Sequence, residues 1–506
     1  MLSFLARRAV TGLATLFTAI FLMFMLVNKA IDPLSDLYQD TSPNKAQKIA
    51  ARIELLDLNT NVVVRFFKWL GHFLTGDPGV AWKTGEQVAP LIAHAIGSTL
   101  QLVTAATLTS VVLGVAVGIV SALRQYSAFD YVIIFLSFLL YSLPSFLVGV
   151  LLKQWGAIGV NDFLAEPVIP WVVIIGVSLV NGFIWSIAVG GPVRRRLEVA
   201  GSATAASIAM LAYLQLTDWW NKPSLGPILI GVLGAAGALA IVAIGAGLHN
   251  RRALYASLVT VGVGLALYFP IGAFFDGFLE SNVLMLGLGL AAIATGLLVG
   301  WLSGGPDRGV SMRSAAMTAF LVAALTYVDQ LMQVWVEYSD GLRGRPFPTF
   351  GDRTPNLTGS YWLTTLDSYT HLILPSLTLV LIAFASYTRY SRSSMLEVMN
   401  QDYIRTARAK GLPERVVVVR HGFRNTLIPL ATIVPIDIIT LIGGAIITEN
   451  IFARPGMGQL FVRSLTSAEI DPVMAYLVIT ASLAIIANIV ADLIYASVDP
   501  RIRLEA

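Results

Sequence analysis

The feature that most constrains this chain is a series of apolar stretches, each about 20 residues long, which is the length that a helix needs to cross a bilayer. Unpaired backbone polar groups are not tolerated in hydrocarbon, so stretches of this length predict spanning helices. The sequence is 56% hydrophobic and 13% charged, with a mean hydropathy of +0.74. We therefore predict an all-α integral membrane protein. Twelve spans are predicted, near residues 9–30, 97–121, 131–152, 167–189, 199–217, 225–247, 253–275, 282–303, 313–335, 371–388, 429–448 and 473–496.

The placement of Lys and Arg predicts the orientation of these spans, because short loops on the cytoplasmic side of a membrane are enriched in both residues. Arg7 and Arg8 precede the first span, and no small-residue cleavage site follows Val27, so the first helix is predicted to be retained. With the N-terminus in the cytoplasm, every short internal loop is basic. The pattern predicts a multi-pass protein with both termini in the cytoplasm.

A basic segment, residues 402–429, lies between two strongly apolar stretches and cannot be placed in hydrocarbon. It has the pattern of a short helix, in which Asp402 suits the N-terminal end of the dipole and Lys410 the C-terminal end. Gly411 and Pro413 are helix stop signals.

At about 100° per residue, the predicted helix has a face of mixed residues and a basic face. The first comprises Tyr403, Thr406, Ala407 and Lys410, and the second Arg405 and Arg408. One interpretation is a helix that docks on a partner. The alternative is a juxtamembrane basic patch that only fixes the orientation of the chain.

At these residues the chain resembles the permease subunits of ATP-binding-cassette (ABC) importers for dipeptides and oligopeptides. In the wider importer class, the cytoplasmic coupling loop begins Glu-Ala-Ala and has Gly six residues after the Glu. Here Gly411 is kept, but Arg405 and Thr406 stand at the positions of Glu and the first Ala, which favours the peptide subfamily. The resemblance implies an ATPase-coupling helix formed by Tyr403, Arg405, Thr406, Ala407, Arg408, Lys410 and Gly411.

Further segments resemble the same family in the same order along the chain. They are Gly76-Asp77-Pro78-Gly79 followed by Val88 to Ile92, then Gly443-Gly444-Ala445, Glu449, Ile451-Phe452, Pro455-Gly456-Met457-Gly458 and Asp499-Pro500-Arg501-Ile502-Arg503. The resemblance implies a type I ABC importer transmembrane domain with about 12 spans, of which six form the family core and about six are inserted.

The resemblance also implies a division of the chain. Residues 1–155 would hold spans 1–3 with an external segment at 31–96, and residues 365–506 the last three spans with the coupling loop at 389–428. Residues 156–364 would be an inserted membrane region. This region is rich in Gly and Ala, which suits close helix contact, and it is interpreted as a scaffold, a lipid-binding region or a docking region for another subunit.

Polar residues inside the core spans are candidates for a translocation pathway, because a bilayer penalises them unless they face protein or water. Asp437 is either an acid that lines a cavity and meets the amino terminus of a peptide, or a structural hydrogen-bonding group between helices. Asn488 and Asp492 share one helix face and are interpreted as structural. The predicted pathway residues are Asp437, Gly443, Gly444 and Glu449.

The sequence contains no G-x-x-x-x-G-K-[ST] motif, so it predicts no ATP site in this chain. It has no cysteine, and its five histidines lack metal-ligand spacing, so no catalytic residue and no metal site are predicted. The net charge of +4 gives no indication of nucleic-acid binding. We predict a non-catalytic transport subunit without a cofactor of its own.

The resemblance implies a subunit in the bacterial inner (cytoplasmic) membrane that couples ATPase closure to alternating access. Its partners would be a homologous second permease subunit, two ABC ATPase subunits that bind ATP and Mg, an extracytoplasmic peptide-binding protein and membrane lipid. Two alternatives remain open. A secondary, ion-driven transporter would have two similar six-span halves, and a membrane scaffold would recruit partners through the middle region.

Overall fold

Long helices dominate the computed structural model, which describes residues 2–278 and 281–498. For residues 2–9, 276–278, 431–432, 440, 442–444 and 491–498 it describes the backbone alone. Within the described ranges, 11 helices are long and apolar enough to cross a membrane, and a bent helix pair is a twelfth candidate. Each predicted span coincides with one of these candidates, which confirms the all-α membrane class.

The first third of the chain contains short elements between its first two long helices. The elements are α1 (Leu2–Ala30), α2 (Ser35–Tyr38), α3 (Lys45–Leu55), α4 (Val62–Leu74), β1 (Val80–Ala81), β2 (Glu86–Gln87), α5 (Val88–Leu123), α6 (Ala128–Ser142) and α7 (Ser145–Leu151), followed by a π-helix (Leu152–Gly159). The helix predicted across 131–152 ends at Ser142 because Leu143 and Pro144 have extended backbones, and the chain turns by 99° there. Pro144 therefore breaks the third span, as its lack of an N–H predicts.

The rest of the chain is helical wherever it has regular structure among the described residues. The elements are α8 (Val160–Ala165), α9 (Trp171–Val189), α10 (Val193–Leu216), α11 (Gly226–Gly245), α12 (Arg251–Phe278), α13 (Asn282–Ser303), a 3-10 turn (Gly305–Asp307), α14 (Arg308–Gln333), α15 (Trp335–Gly341), α16 (Tyr361–Met399), α17 (Asp402–Ala409), α18 (Glu414–Val416), a π-helix (Val417–Phe423), α19 (Arg424–Gly444), α20 (Ile446–Ile451), α21 (Met457–Thr466) and α22 (Ile470–Val498).

The chain divides into two compact units. Unit 1 comprises residues 1–157, 349–352 and 371–506, and unit 2 comprises residues 158–348 and 353–370. These boundaries lie close to the predicted ends of the middle region. The interpretation of that region as an insertion into a family core stays a prediction.

Aromatic side chains join α1 to α4 in unit 1. Phe66 is fully buried and makes edge-to-face contacts with Phe21 and Phe24, at ring-centroid distances of 5.1 and 5.5 Å. Trp69 packs against Phe24 in the same cluster, which also includes Met474 of α22. Edge-to-face geometry is favoured by the ring quadrupoles, so the first and last long helices share one core with the short helix between them.

Two glycines bring α5 and α16 into close contact. A Cβ atom on Gly118 would overlap the hydroxyl of Ser391, and one on Gly114 would lie 2.7 Å from the Cβ of Tyr387. The Ser391 hydroxyl donates a hydrogen bond to the Gly114 carbonyl at 3.1 Å. Small residues four apart allow two membrane helices to pack backbone against backbone.

The β1–β2 hairpin is fixed to the start of α22. The Asp471 carboxylate accepts a hydrogen bond from the Val80 N–H at 3.3 Å, and the Trp82 indole donates one to the Ala468 carbonyl at 3.2 Å. A Cβ on Gly79 would overlap the Asp471 side chain, and Gly79 has a φ of +102°. Glycine is therefore required at position 79 for two reasons: the positive φ angle, and the lack of space for a Cβ beside Asp471.

In unit 2 a buried carboxylate closes the start of α11. Asp329 of α14 is fully buried, and its Oδ1 accepts hydrogen bonds from the N–H groups of Leu225 and Gly226 at 2.7 and 2.9 Å. Its Oδ2 accepts from the Tyr268 hydroxyl at 2.5 Å and from the Gln333 amide at 3.0 Å. The N–H groups of a first helical turn have no intrahelical partner, so Asp329 satisfies them from a neighbouring helix.

Replacement of Asp329 should therefore destabilise the fold. Asp329→Ala leaves two part-buried backbone donors without an acceptor, which should lower the free energy of unfolding by about 1–3 kcal/mol. Asp329→Asn keeps one acceptor oxygen and should lower it less. The thermal midpoint of the detergent-purified protein measures both effects. Asp340→Ala, which alters an exposed acid in the same unit, is the control, and equal midpoints for Asp329→Ala and this control would contradict the role.

Candidate coupling helix and polar sites of unit 1

The predicted coupling helix is present as α17, which begins at Asp402, close after the end of α16 at Met399. It ends in a Schellman motif, in which the Gly411 N–H bonds to the Arg408 carbonyl at 2.9 Å and the Leu412 N–H to the Ala407 carbonyl at 3.4 Å. Gly411 has a φ of +71°, and a Cβ at this position would meet nothing within 4 Å. The requirement for glycine is therefore conformational rather than steric.

The inner face of α17 is apolar. Ile404 is 0% and Ala407 6% exposed, and both pack in one cluster with Val417 and Met399. The sequence analysis placed Ala407 on one face with Tyr403, Thr406 and Lys410. In the structure Ala407 is buried against its own chain, whereas the other three are exposed. The reason is that Ile404 and Ala407 are three residues apart and form a pair on one helix face.

The outer face of α17 is polar and basic. Tyr403 accepts a hydrogen bond from the Asn425 amide at 3.0 Å, and Arg408 binds the Glu414 carboxylate with two bonds of 2.7 and 3.1 Å. Arg405 lies 3.5 Å from Asp402, one turn earlier. The exposed residues of the predicted coupling set are Tyr403, Arg405, Thr406, Arg408, Lys410 and Gly411.

Two methionines of α16 pack against the turn that leads into α19. A Cβ on Gly422 would lie 3.1 Å from Met395 and 3.2 Å from Met399, and the Thr426 hydroxyl contacts the Met395 sulfur at 3.2 Å. Gly422 belongs to the π-helical turn that leads into α19. The first eleven residues of the predicted coupling loop, 389–399, continue α16 as helix.

Sequence reasoning missed an ion pair close to this region. Arg392 of α16 donates two hydrogen bonds to Asp130 of α6, at 2.7 and 2.9 Å, and Asp130 is 1% exposed. Asp130 also accepts from the Ser121 hydroxyl at 2.5 Å and the Tyr126 N–H at 3.0 Å. A local signal existed in Ser127-x-x-Asp130, which resembles a capping box, but nothing in the sequence linked it to Arg392.

Asp437 has a hydrogen-bonding partner on a neighbouring helix, and its place in a pathway stays a prediction. Its Oδ2 accepts a hydrogen bond from the Tyr387 hydroxyl of α16 at 2.8 Å, which joins α16 to α19. Asn488 is exposed on α22. Gly443 and Gly444 end α19, but their surroundings, like the side chain of Asp492 and all of residues 499–503, lie outside what the structure describes.

Glu449 is fully buried and connects three elements of unit 1. Its Oε1 accepts from the Thr99 hydroxyl of α5 at 2.6 Å, and its Oε2 accepts from the N–H groups of Gly458 and Gln459 at 2.7 and 3.1 Å. Burial raises the pKa of Glu449, and the hydrogen bonds from Thr99, Gln459 and Gly458 act in the opposite direction. The carboxylate therefore caps the start of α21 rather than opening onto solvent.

The glycines of the Pro455-Gly456-Met457-Gly458 segment leave room for this cap. A Cβ on Gly456 would overlap the Glu449 carboxyl group, and one on Gly458 would lie 2.5 Å from the Ile446 backbone. Next to them Arg454, which is 1% exposed, donates to the Gln101 amide oxygen at 2.9 Å. This family-like segment thus forms one hydrogen-bonded joint with α5.

Replacement of Glu449 tests this joint. Glu449→Ala leaves the buried Gly458 N–H and the part-buried Gln459 N–H without an acceptor and should lower the free energy of unfolding by about 1–3 kcal/mol. Glu449→Gln retains one acceptor oxygen and should cost less. Thermal unfolding in detergent is the measurement, with Glu54→Ala at an exposed acid as the control. A midpoint for Glu449→Ala equal to the control would show that the cap contributes nothing.

Comparison with known proteins gives a match over residues 259–504 to the family described as binding-protein-dependent transport system inner membrane component. The oligopeptide transport system permease protein AppB of Bacillus subtilis is 47% identical over 156 residues, which are 31% of this chain and 48% of that protein. The oligopeptide transport system permease protein OppB of Mycobacterium tuberculosis is 40% identical over 185 residues, covering 37% of this chain and 55% of that protein.

A protein of Brucella ovis that is named as a peptide permease is 36% identical over 225 residues, which are 44% of this chain and 68% of that protein. The chain spans about half the length of AppB and OppB. The predicted relationship to ABC peptide permeases is confirmed by these matches, together with the type I importer fold. The chain belongs to the family of binding-protein-dependent transport system inner membrane components.

Proposed function

We propose that this chain is a membrane-spanning permease subunit of an ATP-driven ABC importer that moves di- or oligopeptides across the bacterial cytoplasmic membrane. It works with a homologous second permease subunit, two ABC ATPase subunits and an extracytoplasmic peptide-binding protein. The ATPase subunits bind ATP and Mg, since the sequence of this chain has no phosphate-binding loop. Both termini lie in the cytoplasm, in keeping with its basic short internal loops.

The observation that supports this proposal most directly is the division of α17 into two faces. Ile404 and Ala407 hold the helix against its own chain, whereas Arg405 and Lys410 remain exposed on the outside. A helix that packs against its own chain on one face and exposes a basic face on the other can transmit the movement of a protein bound to that basic face. That docked protein is an ATPase subunit in our proposal.

The contacts behind α17 supply a route for such a movement. Met399 at the end of α16 packs against Ile404 and Ala407 of α17, the Arg392–Asp130 pair joins α16 to α6, and the Tyr387–Asp437 bond joins α16 to α19. Closure of the ATPases would move these helices together and change the side of the membrane to which the pathway opens. The work of this subunit is mechanical coupling, and it catalyses no reaction itself.

The conformation of Gly411 gives a first test. A β-branched residue in the left-handed region costs about 1–2 kcal/mol, so Gly411→Val should distort the end of α17. We expect peptide uptake and peptide-stimulated ATP hydrolysis to fall in reconstituted vesicles, with the amount of inserted protein unchanged. Gly411→Asn, which tolerates this conformation better, is the matched control. Full coupled hydrolysis in Gly411→Val would argue against the role of this helix end.

The basic outer face gives a second test. Arg405→Glu reverses an exposed charge whose nearest acidic neighbour is Asp402 in its own helix, so its folding cost should be small. We expect weaker copurification with the ATPase subunits and slower peptide uptake. Arg194→Glu, at an exposed arginine of unit 2, is the matched control and should change neither.

The same preparation separates the proposed function from its alternatives. Stable association with ATPase subunits and uptake that depends on ATP support the importer. Uptake by the purified chain alone, driven by an ion gradient, would show a secondary transporter instead. If neither is found, the chain is a scaffold and the proposal is wrong.

A further inference from the structure

A cavity of about 420 Å³ lies in unit 1 between α5 and α21. Gln87, at the N-cap of α5, lines one wall together with Leu91 and His94 of the same helix. Gln459 and Arg463 of α21 line the other wall. Residues three and four positions apart share one face of a helix. The cavity is therefore a groove between one face of α5 and one face of α21.

The core of unit 1 holds these two faces in place. Val88 and Ile92 of α5 are buried in one cluster with Met457 of α21 and Tyr476 of α22. The Met457 N–H also donates a hydrogen bond to the Thr99 hydroxyl of α5 at 2.8 Å. The groove thus belongs to the fold itself, as is usual for small-ligand sites, which are largely formed before the ligand binds.

Groups of opposite charge line the groove. Glu86 and Arg463 both line it, and both are exposed. Neither side chain forms an ion pair or a hydrogen bond with another of the residues that the structure describes. His94 differs, because its Nε2 lies 3.6 Å from a carboxylate oxygen of Asp352. Glu86 and Arg463 are therefore both available to a ligand.

Further lining residues suit a peptide. The side-chain amides of Gln87 and Gln459 can each donate and accept hydrogen bonds, as a peptide group does. Leu91 and Leu460 add apolar surface that can contact an amino-acid side chain. Small-molecule sites measure about 300–1,000 Å³, so a groove of this size favours a short peptide over a long one.

The groove lies on the extracytoplasmic side in the orientation proposed above. The spans of α5 and α22 begin at Val88 and Ile470, shortly after the groove residues Gln87 and Arg463. With both termini in the cytoplasm, these starts are the outer ends of their spans. This is the side from which an imported peptide arrives.

We propose that this groove binds a short peptide with free termini, with Glu86 at its ammonium group and Arg463 at its carboxylate. The inference rests on the proposed function, because it takes a peptide as the cargo. Both termini of a peptide are charged near neutral pH, since their pKa values are about 8 and 3.5. The planar guanidinium of Arg463 can bind a carboxylate with two parallel hydrogen bonds, a geometry that lysine does not offer.

The test compares three forms of one tripeptide, which has free termini, an N-terminal acetyl group or a C-terminal amide. The peptide carries para-fluorophenylalanine at its centre, so that fluorine NMR reports binding while both ends stay unlabelled. The purified permease–ATPase complex is used without ATP and without the binding protein. The dissociation constant of each peptide is measured for the wild type, Arg463→Gln and Glu86→Gln.

Each substitution should affect only the peptides that carry the matching terminus. Arg463→Gln should weaken binding of the free and acetylated forms about 5- to 20-fold and leave the amide nearly unchanged. Glu86→Gln should weaken the free and amidated forms by a similar factor and leave the acetylated form nearly unchanged. General destabilisation would not produce this crossed pattern. Lys83→Gln and Glu54→Gln, at exposed charges of unit 1 outside the groove, are the matched controls.

A second readout uses the absence of cysteine from the sequence. Gln459→Cys introduces a single thiol into this chain at the groove, and a maleimide should label it in the assembled complex. The free tripeptide should slow this labelling, and the addition of Arg463→Gln should remove the protection. Thr466→Cys, at an exposed position of α21 outside the groove, is the matched control and should not be protected.

Several results would overturn the site. These are no binding of the free tripeptide to the wild-type complex, or equal weakening of all three peptides by Arg463→Gln. Failure of the maleimide to reach Gln459→Cys would show that a partner subunit covers the groove. Protection of this thiol by phosphatidylethanolamine, and not by peptide, would identify a lipid headgroup as the occupant. The proposed function fails separately, if the wild-type complex with ATP and its binding protein imports no peptide.

Discussion

Hydrocarbon offers no hydrogen-bonding partner, so a buried polar group in a membrane protein is costly unless the protein supplies its partner. Three of the buried carboxylates, those of Asp130, Asp329 and Glu449, show how the described part of the fold meets this constraint. Each accepts at least one backbone N–H, and each also binds a side chain from a second helix. Each of these acidic groups thus accepts the free N–H groups of a helix end or turn and also joins two helices. Contacts between apolar side chains are not directional and cannot fix such a pairing.

The same constraint explains what was predictable from the sequence. The length of apolar stretches is set by membrane thickness, so the spans could be predicted from the sequence. The short helix α17 could be predicted between Asp402 and Gly411 because its start and stop signals are local. The prediction grouped Ala407 with polar residues, whereas the structure buries it. Its burial depends on contacts with Met399 and Val417, which lie outside α17, so the sequence of the helix alone does not show it.

The polar contacts between distant residues could not be predicted, because no periodicity connects them. Arg392 and Asp130 are separated by 262 positions, and Glu449 and Thr99 by 350. Glu449 was placed in the pathway on sequence grounds, whereas the structure buries it under Gly456 and Gly458. A buried acid that accepts three hydrogen bonds and an acid that faces a water-filled cavity look the same in the sequence. Only the positions of the surrounding backbone groups distinguish the two.

The close contact between α5 and α16 has a mechanical consequence. Because no side chain of Gly114 or Gly118 separates the two backbones, neither helix can slide or roll against the other without steric collision. We therefore expect α5 and α16 to move as one rigid body. The Arg392–Asp130 ion pair also holds the start of α6 against them. Leu143 and Pro144, whose backbones are extended between α6 and α7, are then where we expect α7 to turn relative to this group of helices.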